Sequence, residues 1–223
     1  FDGGSIYWTS SLGAVRVDKA VAVPYAARGA EKGVLGYPTG PTQARDGNGV
    51  GVAQGFEKGA LYVKDGKDIL LSGPIRDEYA RQGYNAGTLG WPRADAVCKL
   101  TGGGCKQQFD TGWIVWSPNT AAVRIDGGLL ETWTSLGAEG GQLGYPTTAA
   151  YPRAGGGWSQ DFEHGTISWT GARGGFVEGA ASSTGARSAA PSATPTAPPT
   201  VSPTPSPTPV TSPSATPSVS PTR

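Results

Sequence analysis

Gly33-Val34-Leu35-Gly36-Tyr37-Pro38 is the stretch that decides the fold, because it returns twice. It reappears as Gly87-Thr88-Leu89-Gly90-Trp91-Pro92 and as Gly141-Gln142-Leu143-Gly144-Tyr145-Pro146. Both intervals are 54 residues, from Leu35 to Leu89 to Leu143. A second phrase, Phe-[Asp/Glu]-x-Gly, starts at Phe1, Phe56, Phe109 and Phe162, on nearly the same period. Two interleaved phrases on one period define an array of a single supersecondary unit. Such arrays present a surface repeatedly more often than they house one catalytic centre.

Aligned on Phe, the units share Gln54, Gln107 and Gln160 two residues earlier. An acid follows Phe directly (Asp2, Glu57, Asp110, Glu163), and a glycine stands three residues after it (Gly4, Gly59, Gly112, Gly165). That glycine fits a turn or bulge of positive φ. Ile6, Leu61, Ile114 and Ile167 then precede Trp8, Val63, Trp116 and Trp169 by two residues. The step of two places each pair on one face of a strand, and that face is expected to be core. Tyr7 and Tyr62 fall on the opposite face, where other units carry Val115 and Ser168, and read as local features. A second alternation (Val15/Val17, Ile69/Leu71, Val123/Ile125) completes a hairpin. Val21, Ile75 or Leu129, four residues ahead of Tyr25, Tyr79 or Trp133, predicts one or two turns of helix. Gly29, Gly83 or Gly137 is placed to end it as a C-terminal cap. Pro24 weakens the helix of the first unit. Each unit is thus a hairpin, a short helix and a proline-marked turn, with a Gly-rich approach to the next Phe. Residues 1–180 hold three full units and a terminal hairpin.

The chain has 223 residues, of which 36 are Gly, a composition that suits short strands between tight turns. Net charge is +1 and no basic run exists, which argues against nucleic acid as a partner. No stretch approaches the roughly 18 consecutive apolar residues of a membrane span. Residues 181–223 are almost entirely Ser, Thr, Pro and Ala, and are expected to form a disordered, partly polyproline II tail or linker. The chain contains no Met and starts inside a repeat, so it reads as a piece of something longer. Further upstream units, and an additional domain beyond either terminus, are expected.

No catalytic residue is assigned. His164 is the only histidine and occupies a variable slot, where a surface position is expected. No Gly-x-Ser-x-Gly elbow or phosphate loop accompanies it. Acids recurring once per unit look architectural, and the non-repeating ones (Asp65, Asp68, Asp77, Glu78, Asp95, Glu139) form no constellation in sequence. No cofactor is expected.

Leu35-Gly36-Tyr37-Pro38-Thr39, Leu89-Gly90-Trp91-Pro92, Leu143-Gly144-Tyr145-Pro146-Thr147 and the Gln-x-Phe-[Asp/Glu]-x-Gly-x-[Ile/Leu] runs together resemble the LGFP repeat family of actinobacterial cell-envelope proteins. The resemblance covers about residues 1–180, with Tyr or Trp where the family usually has Phe. It implies a β-rich repeat protein with short helices, its units of about 54 residues forming a propeller-like or ring-like array, here incomplete. It further implies a secreted, cell-wall-associated, non-catalytic module that anchors to polysaccharide of the arabinogalactan–peptidoglycan layer. Such modules are often appended to mycoloyltransferases or peptidoglycan amidases. A structural or protein–protein module is the alternative, and part of a glycoside or peptidoglycan hydrolase a more distant one.

Under this reading Tyr37, Trp91 and Tyr145 are candidate sugar-stacking platforms. Asp2, Glu57, Asp110 and Glu163 are candidate acceptors for sugar hydroxyls. The competing reading packs the aromatics between units and uses the carboxylates to cap local backbone donors. In an exported protein Cys98 and Cys105 read as a disulfide closing a short Gly-rich loop. Two cysteines with no nearby histidine cannot fill a tetrahedral zinc site, so no metal is expected.

Overall fold

The computed structural model describes residues 2–45 and 51–178. The expected tail at 181–223 lies outside them. The first unit supplies an antiparallel pair, β1 (Gly4–Thr9) and β2 (Gly13–Asp18), followed by α1 (Lys19–Ala27). The second is a four-stranded antiparallel meander, β3 (Gln43–Ala44), β4 (Val52–Phe56), β5 (Gly59–Lys64) and β6 (Lys67–Leu71), followed by α2 (Gly73–Arg81). The third repeats it with β7 (Val97–Cys98), β8 (Cys105–Gln108), β9 (Gly112–Ser117), β10 (Thr120–Asp126) and α3 (Gly127–Ser135). The fourth comprises β11 (Tyr151–Pro152), β12 (Trp158–Phe162), β13 (Gly165–Thr170) and β14 (Gly174–Glu178).

The sequence hairpins are present as β1/β2, β5/β6, β9/β10 and β13/β14. The Gly-rich approach to Phe is a strand rather than a turn (β4, β8, β12). Its glycines and glutamines are poor strand formers, and pairing with the neighbouring strand overrides propensity. The Phe-[Asp/Glu]-x-Gly phrase is therefore a two-residue hairpin loop, with Phe56 paired to Gly59 and Phe162 to Gly165. Its glycine has positive φ only at Gly4 and Gly165. At Gly59 and Gly112 the requirement is space: an added Cβ would sit 2.7 Å from the carbonyl oxygen of Leu71 or Ile125 on the adjacent strand.

All three helices end as expected, on Gly29, Gly83 and Gly137 with φ of +90°, +85° and +95°. Pro24 sits inside α1 without preventing it. Burial of Val21 and Tyr25 outweighs the lost backbone bond, as packing commonly does for short helices.

Each helix packs between its own sheet and the next one, which produces three cores. The first joins Val17, Val21, Tyr25, Leu35, Phe56 and Leu61. The second places Leu71, Ile75, Tyr79, Leu89, Phe109 and Ile114 at the equivalent positions. The third does so with Ile125, Leu129, Trp133, Leu143, Phe162 and Ile167. Leu61, Ile114 and Ile167 thus face the helix of the preceding unit. Among the described residues no helix covers that face of β1, so Ile6 is 55% and Trp8 68% exposed, and the expectation of core is wrong for the first unit. Trp116 and Trp169 are half-buried. The opposite face is core as well. Tyr62, Val115 and Ser168 are buried, and Tyr7 and Tyr62 meet Tyr25 and Tyr79 of their own units edge-on at 5.3 and 5.7 Å. Those tyrosines are unit-to-helix contacts, not local features.

Candidate functional site

The recurring polar residues converge on the Leu-Gly-aromatic-Pro phrase. The N–H of Tyr37 donates to Glu57 Oε2 at 3.0 Å, that of Trp91 to Asp110 Oδ2 at 2.9 Å, and that of Tyr145 to Glu163 Oε2 at 2.9 Å. The carbonyl of the phrase glycine accepts from the helix aromatic: Gly36 from Tyr25 at 2.6 Å, Gly90 from Tyr79 at 2.7 Å, Gly144 from Trp133 Nε1 at 2.9 Å. The glycines themselves have φ of +72°, +70° and +68°, and any Cβ there would collide with the same carboxylate. Glycine is required on both counts. Each acid thus uses one oxygen as a backbone cap, although its residue is exposed. Asp2, the equivalent in the first unit, is exposed.

A second tether lies beneath. Gln54, Gln107 and Gln160 are at most 1% exposed. Their Nε2 groups donate to the carbonyl of the preceding unit's last strand (Arg16, Leu70, Arg124) at 2.9–3.0 Å. They also donate to the loop after the phrase (Gly40, Ala94, Thr148) at 2.7–2.9 Å. The repeated glutamine therefore staples one unit to the next. Burial without these partners would cost each carbonyl about 1–3 kcal/mol.

The three candidate platforms differ. Tyr37 and Trp91 are half-buried, whereas Tyr145 is 3% exposed, with its hydroxyl donating to Thr101 O at 2.6 Å. Tyr145 packs against the loop closed by the Cys98–Cys105 disulfide, which is formed across β7 and β8. Its ring therefore presents little open face to solvent. Trp91 borders a 340 Å³ cleft lined by Tyr62, Lys64, Asp65, Lys67 and Arg93. Tyr62 meets its ring edge-on, and Lys64 Nζ lies 4.9 Å from the ring centroid.

A larger cleft of 560 Å³ lies where the third and fourth units meet. Trp158 and Trp169 stand directly opposite each other on β12 and β13 and line it, together with Leu129, Arg124 and Gln82. Sequence reasoning passed over Trp158. Its signal was a lone tryptophan where equivalent positions carry Val52 and Cys105.

The non-repeating acids come together only in part. Arg28 donates to Asp68 at 2.7 Å and to Asp95 at 3.0 Å, drawing two of them into one ion-pair cluster. Glu139 pairs with Lys106 at 2.8 Å, and Glu78 with Arg81. His164 is exposed, as its variable position suggested. Among the described residues no group of three or more His, Cys, Asp and Glu could hold a metal ion.

The model of the LGFP repeat family matches four successive stretches of the chain, residues 1–33, 35–87, 89–141 and 143–186. No curated protein matches the chain.

Proposed function

The chain belongs to the LGFP repeat family, and from that premise we propose that it is a non-catalytic module that anchors to envelope polysaccharide of the arabinogalactan–peptidoglycan type. LGFP repeats mark a repeat module of cell-surface proteins and are not a known catalytic family. The disulfide is consistent with an extracellular protein, and no helix of the described residues is long and apolar enough to cross a membrane.

The observation that carries the proposal is the half-exposure of Tyr37 and Trp91 at the same place in successive units. Aromatic faces suit the C–H surfaces of sugars. A periodic polymer engaging them at repeat intervals gains avidity without a strong single pocket. Glu57 and Asp110 hold the backbone N–H of these aromatics and set where the rings project. In the same reading the units form a ring-like or propeller-like array at a wall-associated location, with a Pro-rich linker to another domain.

Sedimentation of the chain with intact arabinogalactan–peptidoglycan, and with peptidoglycan stripped of arabinogalactan, tests the reading at low and high salt. Salt-resistant retention by the intact layer alone is the expected result. No retention by either rejects it. It would then favour a protein–protein module.

A further inference from the structure

We propose that the cleft between the third and fourth units is a binding site for a neutral oligosaccharide, with Trp158 and Trp169 as its stacking walls. This rests on the polysaccharide reading above and assigns it a place that the repeat phrases do not mark. Its 560 Å³ falls within the range of about 300–1,000 Å³ typical of small-ligand sites. Trp158 is 49% exposed, an unusual position for so large an apolar ring unless something lies on it.

The walls are held in place before any ligand arrives. Trp158 and Trp169 are cross-strand partners, which sets their spacing by the sheet itself. Trp169 occupies the space that a side chain at residue 128 would fill: a Cβ on Gly128 would collide with its indole nitrogen. The glycine at the start of α3 therefore seats the ring.

The polar fringe selects the ligand. Arg124 is ion-paired to Asp126 through Oδ2, and its Nη1 donates to Thr88 and to Gln82 Oε1. The guanidinium charge is thus already compensated, which leaves little attraction for a phosphate or uronate. Asp126 Oδ1 takes no part in these bonds. A carboxylate oxygen beside flat indoles matches alternating hydroxyls and C–H faces, the surface of an uncharged sugar. Among the described junctions the tryptophan pair occurs here alone. Equivalent junctions carry Val52 and Cys105 in place of Trp158, and Val63 and Trp116 in place of Trp169.

The test is titration of the full chain with soluble arabinogalactan, followed by tryptophan fluorescence and calorimetry, with polygalacturonate as the charged comparator. Wild type should bind arabinogalactan and not polygalacturonate. W158A should weaken binding by about ten-fold or more while leaving the melting temperature unchanged, since the ring is half-exposed. W91A should weaken it less. If W158A binds as tightly as wild type, the cleft assignment falls and the wall-anchoring reading stands. The cleft assignment falls in the same way if the chain sediments with intact wall yet ignores soluble arabinogalactan. Preference for polygalacturonate overturns the neutral-ligand assignment. Failure to bind either soluble or intact wall polysaccharide overturns both.

Discussion

The amide of Gln107 is buried and donates to Leu70 and Ala94, which belong to two different segments. Replacing it with Ala strands both carbonyls, so Gln107→Ala should cost roughly 2–4 kcal/mol of stability, read as a lower urea midpoint. An unchanged midpoint would remove the staple from the account. Gly90→Ala imposes φ of +70° on an L side chain and drives a Cβ into the Asp110 carboxylate. A loss of about 1–3 kcal/mol is expected, and adding Asp110→Ala should restore only the part due to collision. In the same phrase region, burial pushes the Tyr62 hydroxyl up to about 12, so it stays protonated past the ordinary value of 10. The stability this gives is present below pH 10 and lost as pH rises through 12; phenolate absorbance would follow it. At this scale the sequence displayed the glycine, glutamine and acid as recurring letters. Recurrence does not distinguish a ligand group from a tether, because both demand the same residue in every unit. In the folded chain Glu57, Asp110 and Glu163 each hold a backbone N–H with one oxygen.

β14 is the last described strand, and Glu178 anchors its end. A hydrogen bond from Ser168, and with it the Arg153 guanidinium at 2.9 Å, holds its carboxyl below the ordinary 4.5 against the opposing effect of burial. A lowered folded value means that the contribution is full above pH 4.5 and disappears as pH falls below it through the lower folded value. Once the intrinsic pH dependence of exchange is divided out, the amides of β14 should therefore be less protected at acid pH than at neutral pH. Glu178→Gln should abolish that difference, and a variant that keeps it would contradict the assignment. The helices show why elements were partly legible. An apolar pair four residues apart followed by glycine is a local signal, and α1, α2 and α3 all appear on it. The strands β4, β8 and β12 carry no such signal. Their alternation is broken by Gly55 and by buried glutamines, and only the neighbouring strand makes them strands.

Alternation of sheet and helix along the chain means that each unit is stabilised mainly by its neighbours. Stability is then close to a sum over junctions, as in other repeat proteins. Among the described residues no helix covers the outer face of β1, where Ile6 and Trp8 are exposed, whereas β9 is covered on both sides. Native-state hydrogen exchange should accordingly show lower protection in β1 and β2 than in β9 and β10. Equal protection throughout would point to a single cooperative unit instead. Tyr79→Ala empties the centre of the middle core and should cost about 3–5 kcal/mol.

The sequence alone was sufficient for the period and the family, which recurring phrases carry, and for the hairpin strands, the helix positions and their glycine stops, which are written in contacts a few residues apart. Only the tertiary structure decided which aromatics face water. A strand gripped between two helices is buried on both faces, so the two-residue alternation that normally reports inside and outside loses its meaning. Among the described residues Tyr37, Trp91 and Tyr145 occupy one position in the repeat yet differ in exposure, and the disulfide loop of the third unit packs on Tyr145. Trp158 and Trp169 are made a pair by strand register, and the cleft they line exists only where two units meet.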